Sequence, residues 1–352
     1  MKCFLTFIMV LLTLTRCYSL GLVDPDAPKK DPERSKALRS GAKTKMELHV
    51  VDDEGYPVPN ANVKVTLGMV TTANIIKGQT DTNGVFIIEG KTRGNEIIIQ
   101  PKKDGYYNSE KTISFWKFAE NRKVKNGKWQ PYGEKVEIVL RKKRNPLNLI
   151  SEHRNGAYKH TKLFYQWIGF DIKENDFVEP HGKGKIIDFE VMIEWDQKIN
   201  ENYTGMSVKI RFTDPYAGYY VVDKKTYSDF KGQYTALPSN ITLTNAMLYE
   251  KKLENGDWIE KNYDENSCWV IRSRCVVNEK GELISANYSE IYKVRYSCNM
   301  EGDCGFGLYR VFNPTPNDTN LEPANVKTSD GFTLEKWYNS PNVLGKPEQQ
   351  SK

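Results

Sequence analysis

Histidine and cysteine are scarce in this 352-residue chain, with four of the first and six of the second. His49, His153, His160 and His181 never stand at metal-ligand spacing with a cysteine or carboxylate partner, which argues against zinc, and no cofactor motif is present. There is no Gly-x-Ser-x-Gly nucleophile elbow. No stretch beyond the N-terminus approaches the ~20 apolar residues of a membrane-spanning helix. An excess of one charge is missing too. Lys and Arg number 51 against 45 Asp and Glu, a net +6. A balance this even argues against nucleic acid as a partner, which calls for a clustered basic face. The one dense basic run, Arg141-Lys142-Lys143-Arg144, reads as a solvated domain junction, with an anionic ligand site as the alternative.

What is present starts with MKCFLTFIMVLLTLTRCYS. Lys2, an apolar stretch from Phe4 to Leu14, and small residues Cys17 and Ser19 before Leu20 follow the plan of a secretory signal peptide over 1–19. Its removal takes Lys2 and Arg16 and leaves 49 basic against 45 acidic residues, or +4. The expected location is secreted, periplasmic or in the cell envelope. Residues 20–43 are rich in Pro, Asp, Lys and Arg without an apolar period and read as a flexible linker; 337–352 read as a disordered tail.

Between these ends, turn dipeptides recur, among them Asn83-Gly84, Asp104-Gly105, Asn126-Gly127 and Asn255-Gly256. The stretches between them alternate apolar and polar, as in Met46–Val50 and Val136–Leu140, which is the period of a strand with one buried face. An all-β protein in two parts follows, 44–143 and 144–336.

In the first part, Gly55, Pro57, Val58, Ala61, Val63 and Val65 form one punctuated ribbon, and Thr80, Asp81, Gly84 and Phe86 form a hairpin entry. Gly105 and Tyr106 mark a further turn. This order resembles the carboxypeptidase regulatory-like domain, over roughly 44–142. The resemblance implies a transthyretin-like β-sandwich of about seven strands, followed here by a second, mostly antiparallel β domain. It transfers no catalytic residue. The segment 110–132, with Trp116 and Trp129, reads as an insertion that caps the sandwich or presents a binding surface. Together with the stretches GFDIKENDFVEPHGKGKIIDFEV and GLYRVFNPTPNDTNLEPAN, the whole chain resembles exported bacterial proteins carrying this domain, which implies a modular envelope protein and adds no chemistry.

In the second part, Gly182-Lys183-Gly184-Lys185 lacks P-loop spacing and reads as a turn with two flexible glycines before a strand 186–193. Asp171, Asp176, Glu179, Asp188, Glu190 and Glu194 offer carboxylates for a glycosidase-type pair, which spacing in sequence cannot select. The loop 313–320 reads as an Asx-stiffened staple, with a ligand loop as the alternative. Four cysteines remain after export, Cys268, Cys275, Cys298 and Cys304. Three strands, 269–277, 290–298 and 306–312, form a meander that favours one bridge, Cys298–Cys304 first and Cys268–Cys298 second, with Cys275 unbridged in the core.

The functional expectation is an exported, non-enzymatic protein that binds a glycan, a protein or the cell envelope. Trp116, Trp129, Tyr216, Tyr219, Tyr220 and Trp258 are the candidate aromatic contacts. The alternatives are a secreted peptidase or glycosidase with its site in the second domain, and a purely structural envelope module.

Overall fold

The computed structural model describes residues 31–68, 74–93, 96–114, 123–152, 159–161, 165–197, 203–224, 227–242, 246–254, 257–262, 267–298 and 304–324. The signal segment, Trp116 and the C-terminal tail lie outside these residues. The protein is all-β, with one α-helix among the described residues. It divides into two compact units. Among the described residues, the first comprises those within 31–50, 59–100 and 111–137; the second comprises those within 51–58, 101–110 and 138–324.

The first unit begins with that helix, α1 (Pro32–Ser40), and so corrects the expectation of a featureless linker up to residue 43. Its signals are local. Asp31 caps the N-terminus by accepting from Arg34 N at 2.8 Å, Pro32 opens the first turn, and Gly41 at φ 80° ends the helix. Ala37 is buried beneath it. The strands follow as β1 (Ala42–Asp52), β2 (Asn62–Leu67), β3 (Asn74–Gln79), β4 (Val85–Thr92), β5 (Glu96–Lys102), β6 (Lys111–Ser114), β7 (Val124–Lys125), β8 (Lys128–Trp129) and β9 (Glu134–Leu140). One sheet runs β4-β1-β8-β7 with β9 also on β1, and the other runs β3-β2-β5-β6.

The alternating positions Met46, Leu48 and Val50 of β1, and Val63, Val65 and Leu67 of β2, are buried. The hairpin before β4 forms as its residues dictate: Asp81 accepts from Asn83 N at 2.9 Å and Val85 N at 2.8 Å, and Gly84 sits at φ 71°. Part of the expected insertion is the β7–β8 hairpin. Trp129 lies there, 1 % exposed, with its indole N–H donated to Thr92 O at 3.0 Å. Trp129 is therefore core and not a ligand contact.

The second unit holds β10 (Ile150–Glu152), β11 (Lys159–Thr161), β12 (Ile168–Asp171), β13 (Asp176–Phe177), β14 (Phe189–Gln197), β15 (Tyr203–Arg211), β16 (Gly218–Asp223), β17 (Ala246–Glu254), β18 (Asp257–Asn262), β19 (Ser267–Val277), β20 (Leu283–Cys298) and β21 (Cys304–Phe312). They form two six-stranded sheets, β13-β12-β14-β15-β17-β18 and β10-β21-β20-β19-β16, the latter with β11 on β21. Phe170, Phe177, Phe189 and Val208 of the first sheet share one core with Trp269, Ile271, Phe306 and Phe312 of the second.

The β20-centred sheet is covered on its other face as well. There Tyr220, Val270, Ala286 and Tyr288 pack with Ala236 and Leu321 from loops. This explains why β19 opens on a continuous buried run, Ser267 to Ile271, instead of an alternating one.

Candidate functional site

The loop-covered face of that sheet carries a cleft of about 460 Å³ within the second unit, lined by Asp53, Arg141, Arg144, Val222, Asp223, Gly232, Gln233, Tyr234, Thr235 and Leu237. Each wall has a local cause. The loop 227–237 is tied down where Tyr220 of β16 accepts from Leu237 N at 2.9 Å and lies 3.1 Å from Gln233 Oε1. The segment 141–145 is fixed from below by Glu322. This carboxylate, 1 % exposed, accepts from Arg144 N at 2.9 Å and Asn145 N at 2.6 Å, and the Tyr107 hydroxyl donates to it at 3.1 Å. Burial, then the Glu322 charge, pushes the Tyr107 phenol well above its ordinary pKa.

Three residues of the basic run, Lys142, Lys143 and Arg144, are exposed as a solvated junction would be, and Arg141 departs from that reading. It is 4 % exposed. Its Nη1 donates to Phe230 O at 3.1 Å and Gly232 O at 2.5 Å, and its guanidinium lies 4.2 Å from the Phe230 ring centroid and 4.5 Å from that of Tyr234. Arg144 is half exposed, stacks 4.2 Å from the Tyr234 centroid, and pairs with Asp53 at 3.0 Å. Burial alone would raise the Asp53 pKa, but hydrogen bonds from Tyr234 and Lys142 N, with Arg144, hold it below the ordinary carboxylate value. Tyr234 itself is pushed upward, first by burial.

Beneath the loop stands Glu290 of β20, fully buried. Oε1 accepts from Gln233 N at 2.9 Å. Burial pushes its pKa up to about 8, against the pull of that N–H and of Arg141. Tyr292 and Cys268 face it, and both are raised in turn, again by burial first and then by the Glu290 charge.

The sequence-selected carboxylates do not build an acid–base pair. Asp171 and Asp188 come together, but around Arg274, which reaches Asp171 Oδ1 at 2.6 Å and Asp188 Oδ1 at 2.9 Å. Asp171 also accepts from Lys185 N and Ile186 N, and Asp188 from Ile172 N and the Ser273 hydroxyl. Burial opposes ionisation of Asp171, yet the N–H donors and Arg274 hold its pKa below the ordinary value. The cluster is a structural clamp. Glu190 pairs with Arg211 at 2.5 Å, and Glu194 with Lys209 at 2.6 Å. Asp176 is buried, and Glu179 N donates to Gly184 O at 3.1 Å.

The Gly182–Lys185 turn is not there for left-handed backbone. A Cβ on Gly182 would fall on Phe177 O and Asp176 Oδ1, and one on Gly184 would meet Asp171 Cβ. Both glycines serve close packing, and β14 starts at Phe189, later than expected. The 313–320 loop is a staple: Asn313 donates to Asn320 O at 2.8 Å and accepts from Thr315 N at 2.9 Å, and Asn317 accepts from Ala286 N at 3.1 Å.

Of the aromatic candidates, Tyr219 stacks on Trp269 with centroids 4.5 Å apart, and its edge of the core also holds Phe212. Tyr220 is buried under the loop, and Tyr216 donates its hydroxyl to Gly281 O. These do not form an aromatic shelf. Trp258 lies on β18, where only the backbone is described. The aromatic that does line the cleft, Tyr234, was not singled out by sequence, because nothing in GQYTAL marks its role.

Among the cysteines, Cys268 and Cys275 are free. The β19–β20 register places Trp269 opposite Ile291, so Cys268 falls six residues short of Cys298, and the Cys268–Cys298 alternative fails. Cys275 is half-buried at the edge of the core, not inside it. The β20–β21 register places Cys298 opposite Cys304. Among the described residues there is no group of three or more metal-ligating side chains, and no helix long and apolar enough to cross a membrane.

No family profile matches the chain, and no curated protein matches it. Among solved structures, 3-chlorocatechol 1,2-dioxygenase from Rhodococcus opacus 1CP is similar over 29 % of this chain and 61 % of its own length, at 13 % identity and a TM-score of 0.23. Catechol 1,2-dioxygenase from Acinetobacter radioresistens is similar over 35 % and 56 %, at 12 % identity and 0.22. A shaft pilin from Lactobacillus rhamnosus GG is similar over 70 % and 92 %, at 11 % identity and 0.21. The chain thus spans about three-fifths of the dioxygenases' length. Likenesses this remote carry no argument about function.

Proposed function

We propose that the protein is an exported, non-catalytic binding protein, and that its ligand is a saccharide received in the cleft around Tyr234. The observation that carries this reading is the lining itself. Within one cleft of about 460 Å³, donors (Arg144, Gln233), acceptors (Asp53, Asp223), a hydroxyl (Thr235) and an aromatic ring (Tyr234) alternate. A polyol needs such mixed polarity, because each of its hydroxyls both donates and accepts, and an aromatic face covers its C–H side. The volume lies within the range of ligand pockets.

Export rests on the signal-like residues 1–19. A transthyretin-like regulatory domain in front rests on the ribbon and hairpin motifs between Gly55 and Tyr106. The register of Cys298 and Cys304 supports a disulfide between them, which suits an oxidising compartment. The Asp171–Asp188–Arg274 clamp weighs against a glycosidase, since both carboxylates are already committed to a guanidinium and backbone N–H groups.

The test is a glycan array probed with the chain from Leu20 onward. Binding to a saccharide class that falls at least tenfold in Tyr234→Ala, with an unchanged fold by circular dichroism, is the expected result. An array on which the wild-type protein binds nothing above background would overturn the reading.

A further inference from the structure

Several arginines of the second unit are buried or half-buried; Arg310, 4 % exposed, donates to the carbonyls of Ile172 and Lys173, and three others can be compared with it. Arg274 faces two carboxylates, at 2.6 and 2.9 Å. Arg211 faces Glu190 at 2.5 Å. Arg141, the one of these three that lines the cleft, is the most deeply buried of them at 4 % exposed, and no described carboxylate forms an ion pair with it. Its Nη1 carries both of its hydrogen bonds, to the carbonyls of Phe230 and Gly232. Its Nε is buried without a hydrogen-bond partner. A buried guanidinium without a counter-charge costs stability unless something compensates it. Two aromatic rings and two carbonyls compensate part. The nearby acid, Glu290, receives Gln233 N, and burial keeps it largely neutral at pH 7.

From this we infer that Arg141 is the anchor for a carboxylate on the ligand, so that the cleft selects an acidic saccharide, one carrying a uronic acid, over a neutral one. This rests on the saccharide reading above. With Nη1 held by the two carbonyls and Nε buried, a ligand carboxylate would be received by Nη2, and against a low-dielectric wall such a charge-assisted contact is stronger than in water. The rim has been partly cleared for it. Asp53 is neutralised by Arg144 and receives Lys142 N as well, at 3.4 Å. Asp223, exposed at the end of β16, is the one lining carboxylate for which no such cation is seen among the described residues, and it opposes an acidic ligand from the rim. The hydroxyls of the same sugar would fall to Gln233, Thr235 and Asp223.

The experiment is isothermal titration of the chain from Leu20 onward with a trigalacturonate, its fully methyl-esterified counterpart, and inorganic phosphate. The acid is expected to bind at least tenfold tighter than the ester, and phosphate not to compete. Arg141→Gln is expected to abolish the acid–ester difference. Because Arg141 is buried and its loss can unfold the unit, Asp223→Asn supplies an independent arm: it should tighten the acid several-fold and leave the ester unchanged. Equal binding of acid and ester by the wild type would overturn the inference while leaving the saccharide reading in place. Displacement of the acid by phosphate would also overturn it. Failure of every saccharide would instead remove the reading beneath it.

Discussion

Glu290 occupies the space that Gly232 leaves by having no side chain. A Cβ built on Gly232 would fall on the Glu290 carboxylate, and the next residue's N–H, that of Gln233, is donated to the same group at 2.9 Å. The loop that makes the cleft wall is thereby seated on a buried acid of the central sheet strand. The absence of one methyl group at residue 232 is what lets β20 and the loop approach each other.

Gly232→Ala should therefore destabilise the second unit by about 2 kcal/mol, the usual range for overpacking a closed site. Thermal denaturation reads this directly. A midpoint equal to wild type would mean that the loop is not seated on Glu290.

Stability should also depend on pH through Glu290. Its folded pKa is raised to about 8, so between the unfolded carboxylate value and 8 the folded state holds the proton that the unfolded chain has lost. Stability then falls as pH rises through that window and levels off above it. The groups that face Glu290 are Arg141, Tyr292, Cys268, Tyr220 and the Gln233 N–H. Glu290→Gln should flatten the decline between pH 5 and 8. Urea denaturation across that range checks it, and an unchanged slope in the variant would show that Glu290 is not its source.

The opposite sign belongs to Asp171. Its pKa is lowered in the fold, so its contribution is present above the unfolded carboxylate value and disappears as pH falls through the folded one. Arg274→Gln strands two buried carboxylates, Asp171 and Asp188, and should cost about 3–5 kcal/mol at neutral pH, with a smaller loss near pH 3. A cost that does not shrink in acid would contradict the clamp.

A thiol count separates the cysteines. The denatured, unreduced chain lacking residues 1–19 should present two free thiols, Cys268 and Cys275. In the native protein Cys268 should react more slowly, since it is buried and its thiol pKa is raised. A count of four would refute a Cys298–Cys304 bridge, and a count of zero would refute free thiols at Cys268 and Cys275.

Much of the strand framework was written locally. Asp81 with Gly84, and the meander from Trp269 to Phe312, fold as their neighbours in sequence dictate. The helix α1 was legible as well, through Asp31, Pro32 and Gly41, but its charged residues masked these caps. The cleft was not legible. Arg141 sits in a run of four cations, and what buries it are Phe230, Gly232 and Tyr234, some ninety positions away. The aromatic candidates fared likewise. Tyr219 and Trp129 look identical in sequence to exposed contacts, and only the sheet register turns them inward. Alternation tells which residues share a face, but not which of two covered faces carries the opening.

The most direct test of the central claim is hydrogen–deuterium exchange of the chain with and without the saccharide identified on the array. Binding in the cleft predicts slower exchange at 141–145 and 230–237, with β17, β18 and the first unit's sheets unchanged. Protection elsewhere, with 230–237 exchanging as in the free protein, would show that the cleft around Tyr234 is not where this protein binds.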